Sequence, residues 1–176
     1  MIVPFLLAAL LGASAPVADT GSVGNTTVMP RAPRGSPMVD SIVVEKRARR
    51  LSLYYRGRRV RSYLVALGNP VGDKVGVGDR RTPEGTFWID YRNPASKYHR
   101  ALHLTYPDSA HLARADSFKV PAGGDIMIHG LPNGFGAAGA SHRERDWTNG
   151  CIALTDEEID EIFEAVDVGT PVRIRP

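Results

Sequence analysis

One cysteine occurs in the chain, in the run Thr148-Asn149-Gly150-Cys151-Ile152, and an apolar stretch ending in His129-Gly130 precedes it. A cysteine attacks as its thiolate, which is scarce at neutral pH for a free pKa of about 8.5, so a nucleophilic Cys151 needs a base nearby. His129 fits that role because the end of a strand is a rigid platform, whereas His142 falls in a loop between Gly139 and Arg145 that reads as mobile, within the Gly-rich, charged stretch from Pro132 to Trp147. Gly130 and Gly150 allow close backbone approach to a substrate, and the amides of Gly150 and Cys151 are candidate donors to an oxyanion. The residues together describe an acyl-transfer site. Taken by itself, a lone thiol is more often packing than a nucleophile, since free Cys is among the most buried residue types. Trp147 reads either as a cleft wall or as a packed aromatic beside the nucleophile.

These groups need a scaffold, and the spacing predicts one that is mainly β. Ile42–Glu45, Leu51–Tyr55 (with Leu51, Leu53 and Tyr55 on one face) and Val60–Leu67 alternate as strands, with Arg56-Gly57 as a hairpin turn. Thr86–Asp90, Leu102–Tyr106 and Asp125–His129 resume the pattern after turn signals at Gly68-Asn69-Pro70 and Thr82-Pro83-Glu84-Gly85. Asp108–Ala115 reads as a short helix. Thr155–Val166 carries a stronger helical signal: Thr155 and Glu158 form a capping box, and Ile159, Ile162, Phe163 and Val166 share a face that should pack on the sheet. Gly169 ends that helix, and Pro171–Arg175 alternates as a closing strand.

His129, Gly130, Thr148, Gly150, Cys151 and Ile152, joined to the turn Gly78-Asp79-Arg80-Arg81-Thr82-Pro83-Glu84-Gly85-Thr86-Phe87 and to the strand Tyr63–Gly68 before it, resemble the L,D-transpeptidase (YkuD-like) catalytic domain family. The resemblance covers about residues 40 to 176. It implies a β-sandwich-like catalytic domain and attack by Cys151 on an L,D peptide bond of a peptidoglycan stem peptide. His129 would be the base, oriented by the Gly130 carbonyl, with oxyanion donors at Gly150 and Cys151 and no metal or organic cofactor. The acyl group passes to an amine, giving a cross-link or exchange product, or to water, giving carboxypeptidase or amidase-like hydrolysis. Two positions depart from the usual pattern. Asn149 stands where many members have histidine, and it can donate a hydrogen bond but cannot act as acid or base. Ala153 stands where many have arginine or asparagine, and it cannot bind a carboxylate, which leaves Arg80, Arg81, Arg143 and Arg145 as candidates for the substrate's charged group. Thr148, Asn149 and Trp147 complete the expected substrate-facing set. The variant pattern, with Asn93-Pro94 and Tyr106-Pro107, is similar to the branch that includes members detaching peptidoglycan-linked lipoproteins.

The 176 residues suit one globular domain, and the net charge of +3 speaks to partners rather than fold. An apolar run from Ile2 to Gly12 followed by Ala13-Ser14-Ala15 reads as a signal peptide or uncleaved N-terminal anchor over 1–18, with a Gly-, Ser- and Pro-rich flexible linker over 19–37 and the catalytic domain over 38–176. Export to the periplasm or cell envelope, as a monomer, is the corresponding expectation. A metalloenzyme is disfavoured, because His99 and His103 lie four apart in a strand, where that spacing does not converge side chains as it does on a helix. Eight basic residues between Lys46 and Arg61 could serve an anionic wall polymer or stand as a solvated hairpin face, and export argues against nucleic acid as the partner.

Overall fold

The structure, a computed structural model, describes residues 39–176. The segments read as signal and linker lie outside the described residues. Eight strands form one mixed sheet in the order β3-β2-β1-β8-β4-β5-β6-β7. They are β1 (Ser41–Glu45), β2 (Arg50–Tyr55), β3 (Arg58–Leu64), β4 (Gly85–Ser96), β5 (His99–Leu104), β6 (Met127–His129), β7 (Ile152–Ala153) and β8 (Pro171–Arg175). Two α-helices, α1 (Ser109–Ser117) and α2 (Asp156–Ala165), and a 3-10 segment at Gly136–Glu144 complete the domain.

The long strand β4 bends the sheet. Its first residues pair with β8 and its later ones with β5, and register shifts between Ile89 and Tyr91 and between Asn93 and Ser96 let one strand serve both halves. Sequence pattern predicts only Thr86–Asp90 here; the extra length is the exposed arm of the β4–β5 hairpin. The halves then face each other across one core, in which Val44, Leu53 and Ile174 join Leu102, Ile128, Ile152, Ile159 and Ile162. The far edges also meet. Ala66, just past β3, exchanges both backbone hydrogen bonds with Ala153 of β7, at 3.0 and 2.8 Å.

The Arg56-Gly57 turn forms with both residues at positive φ, as a tight hairpin requires. The expected common face of Leu51, Leu53 and Tyr55 is broken, however. A bulge between Leu53 and Tyr54 turns Tyr55 outward, while Leu51 and Leu53 stay buried. Asp108 caps α1, and the capping box of Thr155 and Glu158 starts α2, whose Ile159, Ile162 and Phe163 are buried against the sheet. Of the basic hairpin residues, Lys46 is wholly buried, and Arg49 and Arg61 pair with Asp146 and Glu161, so the solvated set is smaller than the sequence count.

Candidate active site

β6 and β7 run parallel in the register Ile128↔Ile152 and His129↔Ala153. Side chains alternate along strands, so His129, one residue after Ile128, and Cys151, one residue before Ile152, both project opposite to the buried isoleucines. The core thus fixes which face carries the chemistry. Cys151 is partly buried, and its Sγ donates to the Asp125 carbonyl at 3.5 Å on the approach to β6.

His129 is buried, with Nδ1 2.7 Å from the Gly130 carbonyl oxygen. A carbonyl only accepts, so Nδ1 carries the proton and the neutral ring keeps its lone pair on Nε2. Burial pushes the imidazole down to about 4, against the pull of the Gly130 carbonyl, and His142 adds to the lowering. Burial likewise pushes the Cys151 thiol up, against a lowering pull from the Met127 amide. Both shifts disfavour the charged forms, so they favour a neutral thiol and a neutral imidazole over a thiolate and an imidazolium.

The glycines make room for protein more than for ligand. A Cβ on Gly130 would lie 2.7 Å from Asp156 Oδ1 and 3.0 Å from Ile159, and one on Gly150, at φ +129°, would lie 2.7 Å from the Arg81 carbonyl oxygen. The Gly78–Phe87 turn is in this way docked under the cysteine loop. Asp79 holds that turn by accepting from Lys74 Nζ, Val75 N and Arg81 N at 2.8, 2.7 and 2.9 Å. Thr148 is buried, and its hydroxyl accepts from Gly150 N at 3.1 Å and donates to the Cys151 carbonyl at 2.8 Å, which engages it within the loop. The Gly150 amide is taken by that hydroxyl, while the Cys151 amide has no partner among the described residues.

Around His129 stands an aromatic layer. The Tyr98 ring lies 4.5 Å from the imidazole and the Trp147 ring 5.9 Å, with Tyr98 and Trp147 themselves stacked at 6.4 Å. Tyr98 sits at the tip of the β4–β5 hairpin and escaped the sequence reading. An aromatic in a strand-to-strand turn was its one available signal. The segment read as a mobile loop is a 3-10 helix kinked at Gly139, and it seats His142 as acceptor of the Trp147 Nε1 hydrogen bond at 3.4 Å. Arg143 is committed to Glu158, whereas Arg145 and Asn149 are exposed. Arg80 lines a cleft with Gly68, Asn69, Asp79 and Asp146, while Arg81 turns inward to the Asp73 carbonyl at 3.3 Å. Gly68 joins that cleft to the reactive loop, since a Cβ there would lie 2.8 Å from Gly150 N. Among the described residues no three His, Cys, Asp or Glu side chains gather closely enough to hold a metal ion.

The profile of the L,D-transpeptidase catalytic domain family, YkuD, matches residues 40–174. Over 141 residues the sequence is 32% identical to the Escherichia coli (strain K12) protein YafK, covering 75% of this chain and 48% of that protein. The chain thus spans about half the length of the curated relatives it matches. Among solved structures, the helical cell shape determining protein Pgp2 from Campylobacter jejuni superposes with a TM-score of 0.61 at 27% identity, over 78% of this chain and 47% of that one. An L,D-transpeptidase from Mycobacterium smegmatis has the same fold, with a TM-score of 0.52 at 16% identity over 79% of this chain and 59% of that one.

Proposed function

The chain belongs to the L,D-transpeptidase catalytic domain family, and from that premise we propose that it is a cysteine acyltransferase acting on L,D peptide bonds of peptidoglycan stem peptides, in wall biogenesis or remodelling. The observation that carries the reading is the paired geometry of β6 and β7, which puts a thiol and a tautomer-fixed imidazole on one face of adjacent strands.

Cys151 Sγ attacks the carbonyl carbon of the donor peptide bond as its proton passes to His129 Nε2. The developing oxyanion is held by the Cys151 amide, with the Gly150 amide available once Thr148 releases it. Collapse breaks the C–N bond, and the imidazolium gives its proton to the departing amine, leaving a thioester on Cys151. An acceptor amine, or water, then loses its proton to Nε2 and attacks the thioester, and the proton returns to Sγ. Because both shifts favour the neutral forms, the proton moves during attack rather than before it. The substrate places this work in the cell envelope, where a Trp147–Tyr98 wall and the exposed Arg80 and Arg145 would meet the stem peptide.

Hydrolysis, or transfer to one specialised amine such as that of a wall-linked lipoprotein, is a second reading, and Ala153 favours it. That residue is fully buried and paired with Ala66, so the position sends no group toward a substrate carboxylate. An acyl-enzyme whose acceptor is poorly held is exposed to water.

The test is intact mass after incubation with a carbapenem β-lactam, followed by mass analysis of products from tetrapeptide muropeptides. One adduct is expected on the parent and none on Cys151→Ala, and iodoacetamide alkylation should keep rising into alkaline pH. A parent protein that takes no adduct would remove the acyl-enzyme reading, and dominant dimer formation would remove the hydrolytic one.

A further inference from the structure

We propose that Asp156 is a positioning residue for the Cys151–His129 reaction, its carboxylate acting on the imidazole through the single peptide unit between Gly130 and Leu131. The proposal rests on the acyltransfer reading above. The two hydrogen bonds of that peptide unit have different owners: its carbonyl oxygen is 2.7 Å from His129 Nδ1, and its N–H donates to Asp156 Oδ1 at 2.8 Å. The amide is a conjugated plane, so a negative acceptor on its N–H shifts electron density toward its oxygen, and linked hydrogen bonds strengthen one another. A hydrogen bond to an ionised acceptor is roughly twice as strong as a neutral one. The Gly130 oxygen thereby becomes a better acceptor at the moment the ring turns cationic, without Asp156 taking a proton or touching the substrate.

The slot that holds the carboxylate is built. Cβ atoms on Gly130 and Gly136 would lie 2.7 and 2.6 Å from Asp156 Oδ1 and Oδ2, so two glycines from separate segments close on the group. Asp156 is the first residue of α2, immediately after the Thr155 cap, and a helix start locked by a reciprocal capping box gives it a rigid base. The ordinary role of an acid in a first helical turn, easing the helix dipole, asks for neither contact, and Glu157 beside it serves that role while exposed to solvent.

Asp156→Asn retains an acceptor for the Leu131 N–H and removes the charge. The titratable groups facing the pair are Tyr98 and His142 around the imidazole and His99, 4.0 Å from the carboxylate. With melting near the parent value, Asp156→Asn should slow carbapenem acylation of Cys151 by about tenfold, in line with other partners that orient a histidine from one step away. The acidic limb of its pH–rate profile should move to lower pH, and the His129 Nδ1 proton should resonate upfield of the parent. His99→Gln should leave that limb in place. Gly136→Ala, which crowds the carboxylate without altering the histidine's own peptide, should move all three readouts in the same direction and serves if Asp156→Asn fails to fold. Parent rates, limb and resonance in a folded Asp156→Asn would overturn the proposal. A parent protein that is never acylated would instead remove the acyltransfer reading, and the Nδ1 resonance would still decide whether the carboxylate reaches the ring.

Discussion

Protonation of His129, the proposed base, is coupled to the stability of the fold. An unfolded histidine titrates near 6.5, and burial pushes this one down to about 4, so between those values the unfolded chain holds the extra proton. Stability therefore rises with pH across that window and is lost as pH falls through it, by about 3 kcal/mol at roughly 1.4 kcal/mol per unit. The side chain is only 3% exposed, so solvent screening does not erase the effect. Asp73, Asp79 and Asp108 act in a lower window: burial raises each, but hydrogen bonds from Glu84, Lys74 and His111 respectively, with others, hold all three below the usual carboxylate range. Their stabilisation disappears only as pH falls through those depressed values. Denaturant titrations at several pH values between 7 and 4 on the parent and on His129→Gln should differ by the histidine's share alone, with a shallower loss in the variant. Equal slopes would show that the imidazole accepts its proton inside the folded site.

The segment between β3 and β4 is held by the buried cation of Lys46 as well as by Lys74 and Asp79 within it. Lys46, just past β1, has no exposed side chain, and its Nζ donates to the carbonyls of Gly72 and Thr82 at 2.6 and 2.9 Å and to Glu84 at 2.8 Å. Thr82 passes the constraint on through its hydroxyl, which accepts from Gly68 N at 3.1 Å. Gly68 and the Arg81 carbonyl then pack directly on Gly150. Lys46→Met leaves two carbonyls and a carboxylate without their donor, and breaking such a buried pair costs about 3–5 kcal/mol. Thermal or denaturant unfolding should show that loss together with slower acylation of Cys151, and Lys46→Met with Glu84→Gln should recover part of the stability because no charge is then stranded. A Lys46→Met protein that melts and reacts like the parent would show that the segment holds its shape without the Lys46 cation.

Across the whole molecule, the proposed nucleophile and base lie where the ends of the sheet close. Ala66 and Ala153 join the β3 and β7 sides, and Leu154 N bonds the His129 carbonyl at 2.9 Å, so the histidine strand, the cysteine loop and the strand after the first hairpin form one seam. Val39 is in the core, and Asp40 N bonds the Tyr54 carbonyl at 2.9 Å, so the packed unit includes both residues. A protein starting at Met38 should fold, melt and accept a carbapenem as the full chain does, read by circular dichroism and intact mass. Loss of soluble, reactive protein would put part of the core upstream of that residue.

The sequence by itself determined most of the strands and the capped helix, because these rest on local periodicity and capping chemistry, and the chemical needs of a thiol made Cys151 and His129 the proposed pair. Tertiary structure alone decided the rest. A two-residue strand such as β7 has no periodicity to read, and β4 gains its length only through pairing with β5. The shift of His129 and of Cys151 toward their neutral forms comes from burial, which no residue type announces. Gly130 and Gly150 were legible as places of close approach, but that their neighbours are Asp156 and the Arg81 carbonyl is a fact of packing between distant segments. Tyr98 was invisible for the same reason, since only the folded hairpin brings its ring to the imidazole.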